Sequence, residues 1–180
     1  MNTIAKIDQS WTLFLDRDGV INKRNFEGYI LKWQDFEFTD GLLNAAGQIG
    51  QLFGNVFVIT NQQCVGKGLI SKNELDDLHS RMCFSLAAHG LTIQDVKVAT
   101  EMKGSAPFRR KPHINMALEI QLEFPHIDFS KTIMVGDTDT DILFGKELGM
   151  HTVLVRSREI TNEIPDLTIE YLADLPKFIS

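Results

Sequence analysis

Two aspartates with one residue between them, Asp16 and Asp18, close the apolar run Leu13-Phe14-Leu15 and are followed by Gly19. An unbroken apolar run of that kind suits a strand buried on both faces. Side chains alternate along extended chain, so the two acids share one face at the strand's carboxyl end. Carboxyls that close repel each other unless a cation or a proton intervenes. At the ligand-binding end of an open α/β sheet, the pair reads as a nucleophile, an acid/base partner and the start of a magnesium site.

Three further motifs close or follow a predicted strand. Thr60-Asn61 ends Val56-Phe57-Val58-Ile59, Arg110-Lys111-Pro112 lies in the loop after the third strand, and Gly136-Asp137-Thr138-Asp139-Thr140-Asp141 ends Thr132-Ile133-Met134-Val135. A phosphate monoester is kinetically inert, so its hydrolysis needs a nucleophile and neutralisation of the charge around phosphorus. Carboxylates, a hydroxyl, a lysine and an arginine are residue types that meet that demand. Taken singly, each motif has a plainer reading: a solvated turn for Asp-X-Asp, a strand-ending turn for Thr60-Asn61, a solvated basic loop for Arg109-Arg110-Lys111. As a set at one end of a sheet, in an acidic chain, they favour a phosphate site.

Other candidates read as structural. Asp139 is a helix-start acid favoured by the macrodipole. His79, His89, His113, His126 and His151 have no metal-ligand spacing and read as surface or packing residues, His113 being nearest the motifs. Gly66-Lys67-Gly68 lacks the full P-loop pattern and reads as a flexible loop bordering the site, with Lys67 a candidate substrate contact.

The elements that must position these residues follow from periodicity. Strands are expected at 12–16, 55–60, 96–100, 131–136, 151–155 and 166–169. Helices are expected from Asp40-Gly41 to about Phe53, from the Ser71-Lys72-Asn73-Glu74 capping box to His89-Gly90, over 114–124 before Pro125, over 139–148 before Gly149, and over 171–178. Alternating strands and helices predict one doubly wound α/β domain over 1–180 with a parallel sheet. The segment 21–39 breaks the alternation, mixing turn formers with Phe26, Tyr29 and Trp33. It reads either as a short flap over the site or as a hairpin packed on the sheet edge.

Composition sets bounds. A chain of 180 residues is long enough to bury about 70% of its unfolded surface in one domain. Acidic residues outnumber Lys and Arg by 24 to 18, giving net charge -6, which argues against a nucleic-acid partner but not against a small phosphorylated substrate. No apolar run approaches the roughly 20 residues that cross a bilayer, and the first ten residues lack signal-peptide features. Cys64 and Cys83 show neither disulfide nor metal spacing and suit a cytoplasmic protein.

In their order along the chain, the motifs resemble the haloacid dehalogenase-like (HAD) superfamily, in particular its histidinol-phosphate and heptose-bisphosphate phosphatases. The strings that carry the resemblance are Asp16-Arg17-Asp18-Gly19-Val20-Ile21-Asn22, Gly28-Tyr29-Ile30, Thr60-Asn61-Gln62, Gly66-Lys67-Gly68 and Arg110-Lys111-Pro112. The resemblance implies a Rossmann-like fold with no large cap domain, acting on a small phosphorylated substrate as a monomer or weak homo-oligomer. It implies that Asp16 attacks phosphorus to form an aspartyl phosphate. Asp18 would protonate the leaving alkoxide and later activate water, a role that calls for a raised pKa, which a neighbouring acid can supply.

By the same resemblance, magnesium is held by the side chains of Asp16 and Asp137 and the backbone carbonyl of Asp18, with Asp141 in support. Lys111 would neutralise the nucleophile and a phosphoryl oxygen, Thr60 and Asn61 would serve the same oxygens, and Arg110 would reach a substrate oxygen or second phosphate. Many members carry a zinc loop of three cysteines and a histidine before the Arg-Lys-Pro motif. Here 100–109 holds neither residue type, so no zinc is expected. Ile114-Asn115 also stands where many relatives have Pro-Gly. The expected substrate is a heptose bisphosphate first, histidinol phosphate second, a phosphorylated macromolecule third. A receiver-type phosphoacceptor uses similar residues in a different order, and a non-catalytic phospholigand-binding protein would have no need of both Asp16 and Asp18.

Overall fold

In a computed structural model that describes residues 7–179, the apolar run becomes β1 (Thr12–Leu15) at the middle of a six-stranded sheet. Along the chain follow α1 (Leu42–Leu52), β2 (Asn55–Asn61), α2 (Gln63–Gly66), α3 (Lys72–Ala88), β3 (Asp95–Ala99) and α4 (Asn115–Glu123). Then come β4 (Thr132–Gly136), α5 (Asp139–Glu147), β5 (His151–Val155), β6 (Leu167–Ile169) and α6 (Pro176–Ile179). The strand order is β3-β2-β1-β4-β5-β6 and every pairing is parallel.

Alternation along the strands divides the core into two layers. Leu13, Leu15, Val56, Val58, Ile133 and Val135 pack with α1, α3 and α6 through Leu42, Ile49, Leu78, Met82 and Ile179. Phe14, Phe57, Ile59 and Met134 face the opposite side, against Met116 and Ile120 of α4 and Phe144 of α5. Burying one such side chain contributes about 1.5–3 kcal/mol, and both faces of β1 are filled.

The topology dictates where the site lies. From β1 the chain winds to β2 and β3, then crosses back to place β4 on the other flank of β1. The connections after β1 and β4 diverge, leaving a crevice at the carboxyl ends of these two strands. Asp16 sits one residue past β1, its amide donating to the Val135 carbonyl at 2.9 Å. Asp137 directly follows β4.

Expected and observed elements agree to within a residue or two except in three places. The helix expected over 171–178 is divided into a 3-10 turn (Leu172–Asp174) and α6, which begins at Pro176, a residue suited to a helix start but not to its interior. An additional helical turn, α2, forms at the expected flexible loop. Gly66 permits this, because a Cβ there would meet the Thr100 carbonyl oxygen at 2.5 Å. The segment 21–39 is the flap, not an edge hairpin. Its base carries a cluster of Trp33 stacked on Phe36 at 5.0 Å and Phe38 edge-on to Phe36 at 5.2 Å. The Tyr29 hydroxyl accepts from Gln63 at 2.9 Å and Lys67 at 2.7 Å, tying the flap to α2. The expectation about the first ten residues falls partly on 1–6, outside the described residues.

Candidate active site

Lys111 is the hub of the crevice. Its ammonium, 2% exposed as a residue, donates to Asp16 Oδ1 at 2.9 Å and to the Ile59 carbonyl at 2.6 Å. Asp141 Oδ1 lies 2.6 Å away. Burial works against the Lys111 charge, but Asp141 and Asp16 outweigh it and hold the ammonium above its ordinary range. Asn61 fixes the loop that brings Lys111 in: its Oδ1 accepts from the Lys111 amide at 2.9 Å and its Nδ2 donates to the Lys111 carbonyl at 3.2 Å.

One lysine does not balance the acids around it. Asp16, Asp137 and Asp141 are buried with ligand atoms within 4.8 Å of one another. Burial and the charge of Asp16 push Asp137 up to about 8, although Arg24 pulls the other way. Burial also raises Asp16, with Asp141 and Asp18 adding to it against Lys111. Arg24 reaches in from the flap, its Nη1 donating to Asp137 Oδ2 at 2.8 Å. Asp137 Oδ1 is buried with no partner among the described residues. Gly19, at φ +89°, leaves room for this carboxylate, since a Cβ there would sit 2.2 Å from Asp137 Oδ2. Crowded oxygen donors, with Asp137 Oδ1 and, its ion pair with Lys111 apart, Asp141 Oδ1 both buried without a hydrogen-bond partner among the described residues, fit a hard divalent cation such as magnesium.

Asp18 corrects an expectation. The acid role called for a raised pKa, yet here the carboxyl lies below its ordinary value. Burial alone would raise it, but Arg17 and two side-chain amides more than offset that. Arg17 Nη2 donates to both Asp18 oxygens at 2.8 Å, Asn22 Nδ2 to Oδ1 at 3.0 Å, and Gln62 Nε2 to Oδ2 at 2.7 Å. The neighbour that dominates Asp18 is a guanidinium rather than another acid.

Asp16, Asp18, Arg24, Asn61, Arg110 and Lys111 open together onto a cleft of about 350 Å³. A smaller space of about 140 Å³ shares Asp18, Arg24, Asn61 and Arg110 and adds Tyr29 of the flap. Arg110 Nη1 is buried without a partner among the described residues. Thr60 lies beneath, its hydroxyl accepting from Gln62 at 2.9 Å. Asp141 also caps α5, its Oδ2 accepting from the Thr138 amide and hydroxyl. Asp139 does more than start that helix, since its carboxylate accepts from the amides of Asn162 and Glu163. Lys67 is engaged by Tyr29, and His113 packs edge-on to Phe108 at 5.7 Å. Phe26 is 46% exposed, beneath the Arg158 guanidinium.

Sequence reasoning missed Arg17, Arg24, Gln62 and His79. Arg17 is 1% exposed, and its Nη1 meets His79 Nε2 at 3.1 Å. One signal was present: His79 falls in the stripe Leu75, Leu78, Met82, Leu86 that α3 buries, and a polar group there requires a partner.

Known proteins share this arrangement of chain and fold. The HAD-hydrolase-like family model matches residues 108–175. A D-glycero-alpha-D-manno-heptose-1,7-bisphosphate 7-phosphatase from Mycobacterium bovis is 33% identical over 132 residues, covering 73% of this chain and 70% of its own. A D-glycero-beta-D-manno-heptose-1,7-bisphosphate 7-phosphatase from Escherichia coli K12 is 33% identical over 179 residues, covering 93% of this chain and 92% of its own. The crystal structure of a D,D-heptose 1,7-bisphosphate phosphatase from B. bronchiseptica, complexed with magnesium and phosphate, superposes with a TM-score of 0.81. It is 22% identical and covers 93% of this chain and 96% of that one, a likeness of fold.

Proposed function

Because the chain belongs to the HAD-like hydrolases, and among them to the heptose-1,7-bisphosphate 7-phosphatases, we propose that it hydrolyses one phosphomonoester of a heptose bisphosphate. The observation that carries the reading is Lys111 bonded to Asp16 at 2.9 Å within the cluster of Asp16, Asp137 and Asp141. An isolated nucleophile would lack the charge neutralisation that a phosphoryl dianion demands.

The residues act in two steps. Asp16 attacks phosphorus in line, the bond from phosphorus to the sugar oxygen breaks, and the phosphoryl group is carried on the Asp16 carboxylate. Asp18 supplies a proton to the departing oxygen. In the second step Asp18 takes a proton from water as that water attacks phosphorus, and the Asp16 carboxylate is released with inorganic phosphate. The low pKa of Asp18 in the substrate-free chain suits this second, basic role. A bound phosphoryl dianion brings negative charge beside Asp18 and raises its affinity for the proton the first step needs.

Lys111 and Arg110 face the phosphoryl oxygens, and Asn61 keeps Lys111 in place. Asp16, Asp137 and the Asp18 carbonyl would hold magnesium, with Asp141 behind them. The ion supplies charge neutralisation at the phosphoryl group when bound. Arg110 and the carboxamides lining the smaller space suit a polyhydroxylated leaving group with a second phosphate. Both cysteines are free, which supports a reducing, cytoplasmic setting.

Phosphate release tests this directly, on a panel of heptose bisphosphate, histidinol phosphate, other sugar phosphates and nucleotides, with magnesium and with chelator. Magnesium-dependent turnover with a clear preference for heptose bisphosphate is the expected outcome. Preference for histidinol phosphate would replace the substrate, and turnover unaffected by chelator would remove the metal from the reading.

A further inference from the structure

We propose that His79, on α3 and away from the cleft, is a positioning residue for the reaction: through Arg17 it fixes the carboxylate of Asp18. The inference rests on the reading of Asp18 as the acid/base group. Arg17 has only donors to offer. Its Nη1 therefore donates to His79 Nε2 at 3.1 Å, and the ring's own proton resides on Nδ1. Its Nη2 donates to both oxygens of Asp18 at 2.8 Å. Among the described residues Arg17 Nε is buried with no partner, and the planar guanidinium is pinned by two anchors, His79 at one end and Asp18 at the other.

The arrangement has the marks of a specific device rather than filler. His79 is 4% exposed and occupies a stripe of α3 otherwise made of Leu75, Leu78, Met82 and Leu86. An apolar residue would pack there at no polar cost, whereas an imidazole must find a partner. Burial and the Arg17 charge hold the ring neutral, with a pKa pushed down to about 3. A neutral ring keeps Nε2 an acceptor across the working pH range. Without that acceptor Arg17 has a second orphaned nitrogen and is free to turn. Asp18 then keeps only Asn22 and Gln62 to aim it.

The test compares kcat/KM, which reports the first, phosphorylating step and not the hydrolysis common to all substrates, on a sugar phosphate, whose alkoxide leaves poorly, and on p-nitrophenyl phosphate, whose phenolate needs no proton. His79→Met fills similar volume without a comparable acceptor, and His79→Gln retains one. His79→Met is expected to lower kcat/KM on the sugar phosphate by about 10- to 100-fold, with less than about a threefold change in kcat/KM on the aryl ester. His79→Gln is expected to restore most of the loss. Arg17→Lys, which removes the fork but keeps the charge, is expected to show the same selective loss, and it decides the matter if His79→Met does not fold by circular dichroism. Asp18→Asn serves as the reference. If Asp18→Asn is selective for the poor leaving group but the His79 and Arg17 variants lose both activities equally, or neither, His79 does not position Asp18. If Asp18→Asn itself shows no selectivity, the acid role is wrong and the inference falls with it.

Discussion

Asp16 and Asp18 are two residues apart at the end of one strand, yet they belong to opposite electrostatic regimes. Asp16 is buried with Asp137 and Asp141 in a cluster that Lys111 and Arg24 leave short of positive charge, so burial first and the neighbouring acids second raise its pKa and push that of Asp137 up to about 8. Asp18 sits in a cluster that is complete, with Arg17, Asn22 and Gln62 on its oxygens and His79 behind Arg17, and its pKa is lowered. A carboxylate crowded by its own kind can receive a cation or a phosphoryl group. A carboxylate saturated with donors stays aimed and, until a phosphoryl dianion binds beside it, ionised. Chain proximity fixes where the two acids are, and their neighbours fix what each can do.

The largest expected effect comes from removing the centre of the first cluster. Asp16→Asn is expected to lower phosphate release by about 10⁴-fold or more while circular dichroism shows an intact fold. Near-native turnover in highly purified protein would erase the distinction between the clusters. Lys111→Met is next, since it leaves Asp16 and Asp141 buried without their shared cation. A loss of about 3–5 kcal/mol is expected in urea unfolding without metal. A loss under about 1 kcal/mol would mean that the cluster relaxes or takes up protons at little cost.

In the proposed reading the side chains that would hold magnesium belong to the first cluster, and Asp18 would add only its backbone carbonyl. At about 100 times its dissociation constant magnesium is expected to stabilise the protein by about 2.7 kcal/mol. Asp137→Asn should abolish most of that gain and His79→Gln none of it, as read from the shift of the unfolding midpoint. Equal loss in both variants would show that the two regions are one.

Near neutral pH the smallest effect belongs to the second cluster, and it grows only in acid. His79 has a folded pKa of about 3 against an ordinary 6.5, with Arg17, Asp18, Asp76 and Lys72 as its charged neighbours. The unfolded chain binds the extra proton between these values, so the stability His79 contributes is complete above about pH 6.5 and is lost as pH falls toward 3. The slope is about 1.4 kcal/mol per pH unit. The difference in stability between the wild type and His79→Gln is expected to have that slope in that window, and a flat difference would show that the ring is not buried neutral.

Much of this was legible in the sequence because parallel strands are buried on both faces and read as continuous apolar runs, as in 13–15 and 132–135. The motifs at Asp16, Thr60 and Asp137 were legible because each sits where such a run stops. Arg24 was not, since its reach to Asp137 depends on how the flap folds back. The Asp18 environment was misread for a related reason: sequence spacing suggests an acid beside an acid, while the rotamer of Arg17 turns its guanidinium onto Asp18. His79 lies far along the chain from Arg17, and only its register within a buried stripe marked it.

The pairing of β1 with β4 has a kinetic consequence. Thr12 stands beside Thr132 in the sheet, so Asp16 and Asp137 meet only after most of the chain has been gathered in. Closing so long a loop is slow and entropically costly, and contacts of that kind form late on the folding route. A metal held between the two strands therefore has nothing to grip in the early, partly ordered ensemble. It should leave the refolding rate almost unchanged and slow the rate of unfolding, so the ion would act as a lock on the finished molecule and not as a template for making it.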